Sequence, residues 1–183
     1  MPQRKTDREA LLAEAETLFR QKGYRNTTMA DIAKATGLLK GSLYYYFPSK
    51  EDLALAILAR VGEELRSSVV DRAYDHQKPA PERWRAILGA TREYFLETRG
   101  CLMGNMGLEL AEAALPFAER IQAFFAEWTS ALAHVLENSY PKGEAQRLAE
   151  DSVARIEGAV LWLRICGDPG PLDRTCEDLA ELL

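Results

Sequence analysis

The sequence is poor in the residues that most catalytic chemistry uses. Its 183 residues include two histidines, His76 and His134. Neither stands in a nucleophile or metal-ligand pattern, and no glycine-rich phosphate loop occurs. Catalysis, a cofactor and a bound metal are therefore not expected. The three cysteines, Cys101, Cys166 and Cys176, are odd in number and lack metal-type spacing. A disulfide framework is not expected, and free thiols are the expectation. No apolar run approaches the roughly 20 residues of a membrane span. The first residues, MPQRKTDREALL, lack the apolar core of a signal peptide. These absences lead to the expectation of a cytoplasmic protein with no membrane partner. Strand-type alternation is missing too, so no sheet is expected.

What remains is helical. Hydrophobic residues make up 47% and charged residues 28%, an ordinary globular balance. A chain of this length buries about 70% of its unfolded surface, enough to fold without a staple. The net charge of −5 is unevenly spread. Residues 1–60 hold ten Lys and Arg against seven Asp and Glu; the remainder holds thirteen against twenty-one. A mildly basic head on an acidic body hints at an anion-binding head.

Helical periodicity and end signals give about nine helices, an all-α fold. The first covers about 6–22, with Leu11, Ala15, Leu18 and Phe19 on one face and Gly23 at its end. Thr28 and Asp31 form a capping-box pattern that opens a short helix, which Gly37 closes. A third helix spans about 40–46 and stops at Pro48. Ser49 and Asp52 open a fourth, about 50–75. After the linker HQKPAP come helices at about 82–98, 102–114, 116–138, 144–166 and 171–182. The domain reading is residues 1–50 as a helix-turn-helix head and 51–183 as a sensing and dimerisation bundle.

The stretch GLLKGSLYYYFPSKEDL, residues 37–53, holds four consecutive aromatics, which cannot all face a core. Leu43 and Phe47 lie four apart and anchor one face. Tyr44, Tyr45 and Tyr46 then point around the rest. Two short helices joined at Gly37 make a helix-turn-helix, whose second helix enters the DNA major groove N-terminus first. Tyrosine hydroxyls can reach phosphate, and the rings can pack on sugar or thymine methyl. Gly41 and Ser42 allow close approach. Lys40 and Lys50 stand at helix starts, where a phosphate meets a cation and free amides. The competing reading is that individual tyrosines are packing residues, with Tyr44 serving both roles.

These residues carry a resemblance. The patterns are A-x-x-L-F at 15–19, G-Y at 23–24, T-T-M-A-D-I-A at 27–33, G-L-L-K-G-S-L-Y-Y-Y-F at 37–47 and S-K-E-D-L at 49–53. With them, residues 8–55 resemble the DNA-binding domain of the TetR family of bacterial transcriptional repressors. The resemblance implies a homodimer on a palindromic operator in double-stranded DNA. It implies contacts from Thr28, Lys40, Gly41, Ser42, Tyr44, Tyr45, Tyr46 and Lys50. Leu39 departs from the family, which commonly has Ser or Thr there. The missing cap costs roughly 1 kcal/mol.

The second region is acidic and rich in aromatics. Most are core residues, yet such clusters also build apolar ligand pockets. The candidate effector-binding residues are Trp84, Phe95, Cys101, Met103, Asn105, Met106, Phe124, Trp128 and Trp162. The segment RGCLMGNMGLELAEAA, 99–114, places a thiol and two thioethers beside glycines that weaken a helix. It is similar to a GC-[LM]-x-GN segment in a TetR subgroup that senses electrophiles, oxidants or small unsaturated acids. Two effector routes follow: a small molecule in a pocket, or covalent modification of Cys101. A helix start and Arg99 favour a reactive Cys101 thiolate; an inert core thiol is the alternative, as it is for Cys166 and Cys176.

The last two helices are expected to form a four-helix dimer interface. Ile156, Ala159, Val160 and Leu163, with Gly158, make one stripe; Leu172, Cys176, Leu179, Leu182 and Leu183 make the other. The alternative is an intramolecular core. The functional expectation is a repressor released from its operator by an effector. An activator of the same fold, or a helical interaction module that does not bind DNA, are the alternatives.

Overall fold

A computed structural model describes residues 8–110 and 115–183. Among these residues there are nine α-helices, one 3-10 helix and no strand. The helices are α1 (Arg8–Lys22), α2 (Met29–Thr36), α3 (Lys40–Tyr46), α4 (Lys50–Ser68), α5 (Ala80–Thr98), α6 (Leu102–Leu110), α7 (Leu115–Leu136), α8 (Lys142–Cys166) and α9 (Gly170–Ala180). The expected all-α architecture is observed. The fourth helix is shorter than expected: it ends at Ser68, and Val70–Tyr74 forms the 3-10 turn. The end of the expected 102–114 helix lies outside the described residues.

The chain forms two compact units. The first comprises residues up to Val61 together with Leu102–Ile121; the second comprises Gly62–Cys101 and Gln122–Leu183. α4 and α7 each contribute residues to both.

The first unit is built on local signals. Thr28 accepts the Asp31 amide hydrogen at 3.1 Å, and the Thr28 amide donates to the Asp31 carboxylate at 2.9 Å. This complete capping box starts α2. It also holds the Asp31 carboxyl below its ordinary range, chiefly through the Thr28 hydrogen bonds. Gly37 ends α2 at φ +69°, a left-handed position that favours glycine. The Leu38 amide then donates to Ala33 O at 3.0 Å, closing the turn. Ser49 and Asp52 repeat the cap at α4, with Asp52 N donating to Ser49 Oγ at 3.0 Å.

Leu11, Ile32, Leu43, Leu53 and Ile57 form a fully buried core for this unit. Within it lies an ion cluster that periodicity does not reveal. Glu16 is buried on α1 and receives Arg20 at 2.7 Å and Arg60 of α4. Two guanidiniums thus meet one buried carboxylate, which joins α1 to α4.

In the second unit α5, α8 and α9 pack around Trp84, Phe95, Ile156, Val160 and Leu179. Trp84 is fully buried, and its indole N–H donates to Leu179 O at 2.7 Å. That bond ties α5 to α9.

Candidate nucleic-acid interface and sensing region

The seven residues of α3 divide cleanly. Leu43 and the following Phe47 are buried. Lys40, Gly41, Ser42, Tyr44 and Tyr45 are exposed, and Tyr46 is half-buried. Tyr45 is 86% exposed, so core packing does not account for it. Its ring meets Tyr46 edge-on at 5.8 Å. The Lys40 ammonium lies 6.0 Å from the Tyr44 ring centroid. Nothing stands within 4 Å of a Cβ built on Gly41. Thr28, also exposed, is the N-cap of α2, the helix that packs on α3. The half-buried tyrosine is thus Tyr46, where the sequence suggested Tyr44.

Lys50 is placed differently from the expectation. Its ammonium donates to Tyr24 O at 3.0 Å and Thr27 O at 3.1 Å. It also sits 4.1 Å from the Tyr24 ring centroid. Two of its three N–H donors are therefore used inside the head. Burial pushes its pKa down, and the charge of Glu109 opposes that shift.

Glu109 is a residue that sequence reasoning missed. From α6 it accepts the amide hydrogens of Tyr24 at 3.2 Å and Arg25 at 2.8 Å. Gly23, at φ +81°, makes room for it: an added Cβ would lie 2.6 Å from Glu109 Oε1. The Tyr24 ring packs edge-on against Phe19 and Phe117 at 5.5 and 5.7 Å. The turn between α1 and α2 is thereby clamped by α6, α7 and Lys50. No local pattern marks Glu109, since its partners lie some 85 positions away.

The expected effector residues fall in both units. Met103, Asn105 and Met106 belong to the first unit, and Met103 and Met106 are buried. Phe95, Cys101, Phe124 and Trp128 belong to the second. There Trp128 lies 6.0 to 6.5 Å from the rings of Phe95, Phe124 and Phe125. Its indole Nε1 is buried without an acceptor among the described residues. Trp84 is core, with its N–H already bonded. Trp162 is half exposed on α8 and lies outside the core. A groove of about 380 Å³ opens between α5 and α9, lined by Arg85, Leu88, Arg92, Asp173, Cys176 and Glu177 among others. None of the expected effector residues lines it.

Cys101 directly precedes α6, as the sequence suggested, but it is only 4% exposed. Its thiol hydrogen-bonds the Glu157 carboxylate, whose pKa burial lifts to about 7. Burial likewise pushes the Cys176 thiol up to about 11. Cys166 is the exposed one.

The expected dimer stripes require correction. Ile156, Ala159, Val160 and Leu163 are all buried within the chain, as are Leu172, Cys176 and Leu179. They form the α5–α8–α9 core. The apolar surface that α8 leaves open consists of Leu161, Trp162 and Ile165, with Gly158 also exposed.

Residues 11–57 match the family model described as bacterial regulatory proteins, tetR family. Residues 82–178 match the LmrA/YxaF-like transcriptional regulator C-terminal domain. The chain belongs to the TetR family. It is thus a helix-turn-helix transcriptional regulator and not an enzyme. Among TetR relatives, the HTH-type transcriptional regulator LmrA of Bacillus subtilis is 30% identical over 96% of each chain. The HTH-type transcriptional repressor DhaR of Mycobacterium sp. strain GP1 is 26% identical over 91% of this chain and 87% of its own. A TetR regulator from Legionella pneumophila has the same fold, with a TM-score of 0.86, 26% identity and 97% coverage of both chains. Among the described residues no helix is long and apolar enough to cross a membrane.

Proposed function

We propose that this TetR-family chain is a homodimeric repressor that leaves a palindromic operator when an effector binds its second unit. The observation that carries the DNA face is α3 itself. Lys40, Gly41, Ser42, Tyr44 and Tyr45 are exposed together on a helix held by Leu43 and Phe47. Cation, close approach and hydroxyl-bearing rings suit phosphate, sugar and base edges. Thr28 contributes at the start of α2. Lys50 contributes through the amides at the start of α4 and by holding the turn, more than through its ammonium. The name of DhaR, a repressor, favours repression over activation.

For the effector, the pocket route is favoured. The Trp128 indole N–H is buried, unpartnered and ringed by Phe95, Phe124 and Phe125. It suits a ligand with a flat apolar body and one hydrogen-bond acceptor. Cys101 modification is the second reading, supported by its place before α6 and opposed by its burial. The dimer is assigned to the open α8 face of Leu161, Trp162 and Ile165. Effector and operator then oppose each other by one coupling energy, typically about 1–3 kcal/mol.

Fluorescence anisotropy on DNA from the chain's own upstream region tests this reading. About six phosphate contacts per dimer predict a slope near −5 in log K against log salt; a flat response would refute a DNA interface. The same titration after a stoichiometric thiol electrophile, with Cys101→Ser alongside, separates the effector routes. Loss of binding only in the wild type would establish Cys101 as the sensor. Unchanged binding would leave the ligand route at Trp128.

A further inference from the structure

The start of α3 departs from the start of α2. Thr28 gives α2 a complete capping box. Leu39, at the N-cap of α3, has extended backbone (φ −66°, ψ 143°) and makes no side-chain cap bond. It is also 66% exposed. Its neighbour Leu38 has a role within the head: its amide closes the end of α2, and its side chain is half-buried. Leu39 has none. The free head therefore loses twice at this position. A helix start goes without its side-chain acceptor, and a leucine stands in water.

Both losses fall beside Lys40, Gly41 and Ser42, at the end of α3 that enters a groove first. A leucine has no donor and no acceptor, so it can bond neither a phosphate nor a polar base edge. The apolar group that the major-groove edge of a base pair offers is the thymine 5-methyl. We infer that Leu39 packs against a thymine methyl in each operator half-site and selects thymine there over cytosine. This inference rests on the reading of α3 as the groove helix.

The test uses the full-length chain. Duplexes are enriched from a random pool, and each thymine of the enriched site is then replaced by deoxyuridine in both half-sites. Wild type, Leu39→Met and Leu39→Ala are compared, with thermal unfolding as the control for folding. One thymine is expected whose demethylation weakens wild type by about fourfold per half-site, about 15-fold for both. Leu39→Met retains sensitivity, and Leu39→Ala loses it. Gly41→Glu, placed in open space on the same helix, should abolish binding.

Two results overturn the inference alone: no thymine with more than a twofold effect, or a sensitive thymine that stays sensitive in Leu39→Ala. If Gly41→Glu binds like wild type, or no duplex is enriched, the groove-helix reading falls and Leu39 falls with it.

Discussion

The Lys50 ammonium stands over the Tyr24 ring at 4.1 Å while donating to the Tyr24 carbonyl at 3.0 Å. A residue at the start of α4 thus fixes the turn between α1 and α2. Lys40, ten positions earlier, has its ammonium 6.0 Å from the Tyr44 ring centroid and stays exposed. The two lysines should respond oppositely to mutation. Lys50→Ala should destabilise the fold by about 1–2 kcal/mol, or about 2–8 °C in Tm. Lys40→Ala should leave Tm unchanged and reduce the salt slope of DNA binding by about 2 per dimer. Melting curves and salt titrations of both variants check the pair. Equal loss of salt slope in both would place the Lys50 ammonium on DNA after all.

Glu109 holds the same turn from α6, through the Tyr24 and Arg25 amides. Glu109→Ala should free those amides. Their hydrogen exchange should accelerate at least tenfold while exchange in the α1 core, at Leu11 and Leu12, stays unchanged. Gly23→Ala should mimic it, because the new Cβ meets the Glu109 carboxylate at 2.6 Å and φ is +81°. Amide exchange followed by NMR on both variants decides. Unchanged rates at Tyr24 and Arg25 would remove Glu109 from the clamp.

The head was legible because its signals are local. The Thr28–Asp31 and Ser49–Asp52 caps, the Gly37 turn and the Leu43–Phe47 anchor each span five residues or fewer. The Lys50 acceptors carry no local mark, because they lie 23 and 26 positions earlier. Glu109 and the Arg60 arm of the Glu16 cluster are hidden for the same reason. α8 misled for a different one. It carries apolar residues on two faces, Ile156–Val160–Leu163 and Leu161–Trp162–Ile165, and periodicity cannot say which body covers which face. Cys101 was placed correctly before a helix, but the carboxylate its thiol meets, Glu157, lies 56 positions on.

The open α8 face carries the dimer proposal, and Ile165 is its most exposed large residue at 73%. In a two-fold interface each substitution acts twice. Ile165→Glu should raise the dimer dissociation constant at least tenfold with little change in the monomer's helical content. Val160→Ala, inside the chain's own core, should instead lower Tm and leave the dissociation constant unaltered. Sedimentation equilibrium on both variants measures this. A dimer indifferent to Ile165→Glu would require another face.

Glu157 provides a pH signature. Burial raises its pKa from an ordinary 4.5 to about 7, and the hydrogen bond from Cys101 opposes the rise. Between those values the folded chain keeps a proton that the unfolded chain has released. The folded state therefore loses stability as pH climbs through this window, with the loss complete above about 7 and absent below about 4.5. It amounts to at most about 3 kcal/mol. Glu157→Gln carries no charge to bury, so it should exceed wild type in stability at pH 8. The gap should close as pH falls toward 4.5. Cys101→Ala removes the opposing hydrogen bond and should move the midpoint upward, while Cys101→Ser, which keeps a donor, should move it less. Thermal unfolding of the four proteins from pH 4.5 to 8.5 measures the window. A wild-type and Gln pair whose curves run parallel across it would mean that the Glu157 carboxyl reaches water in the folded chain.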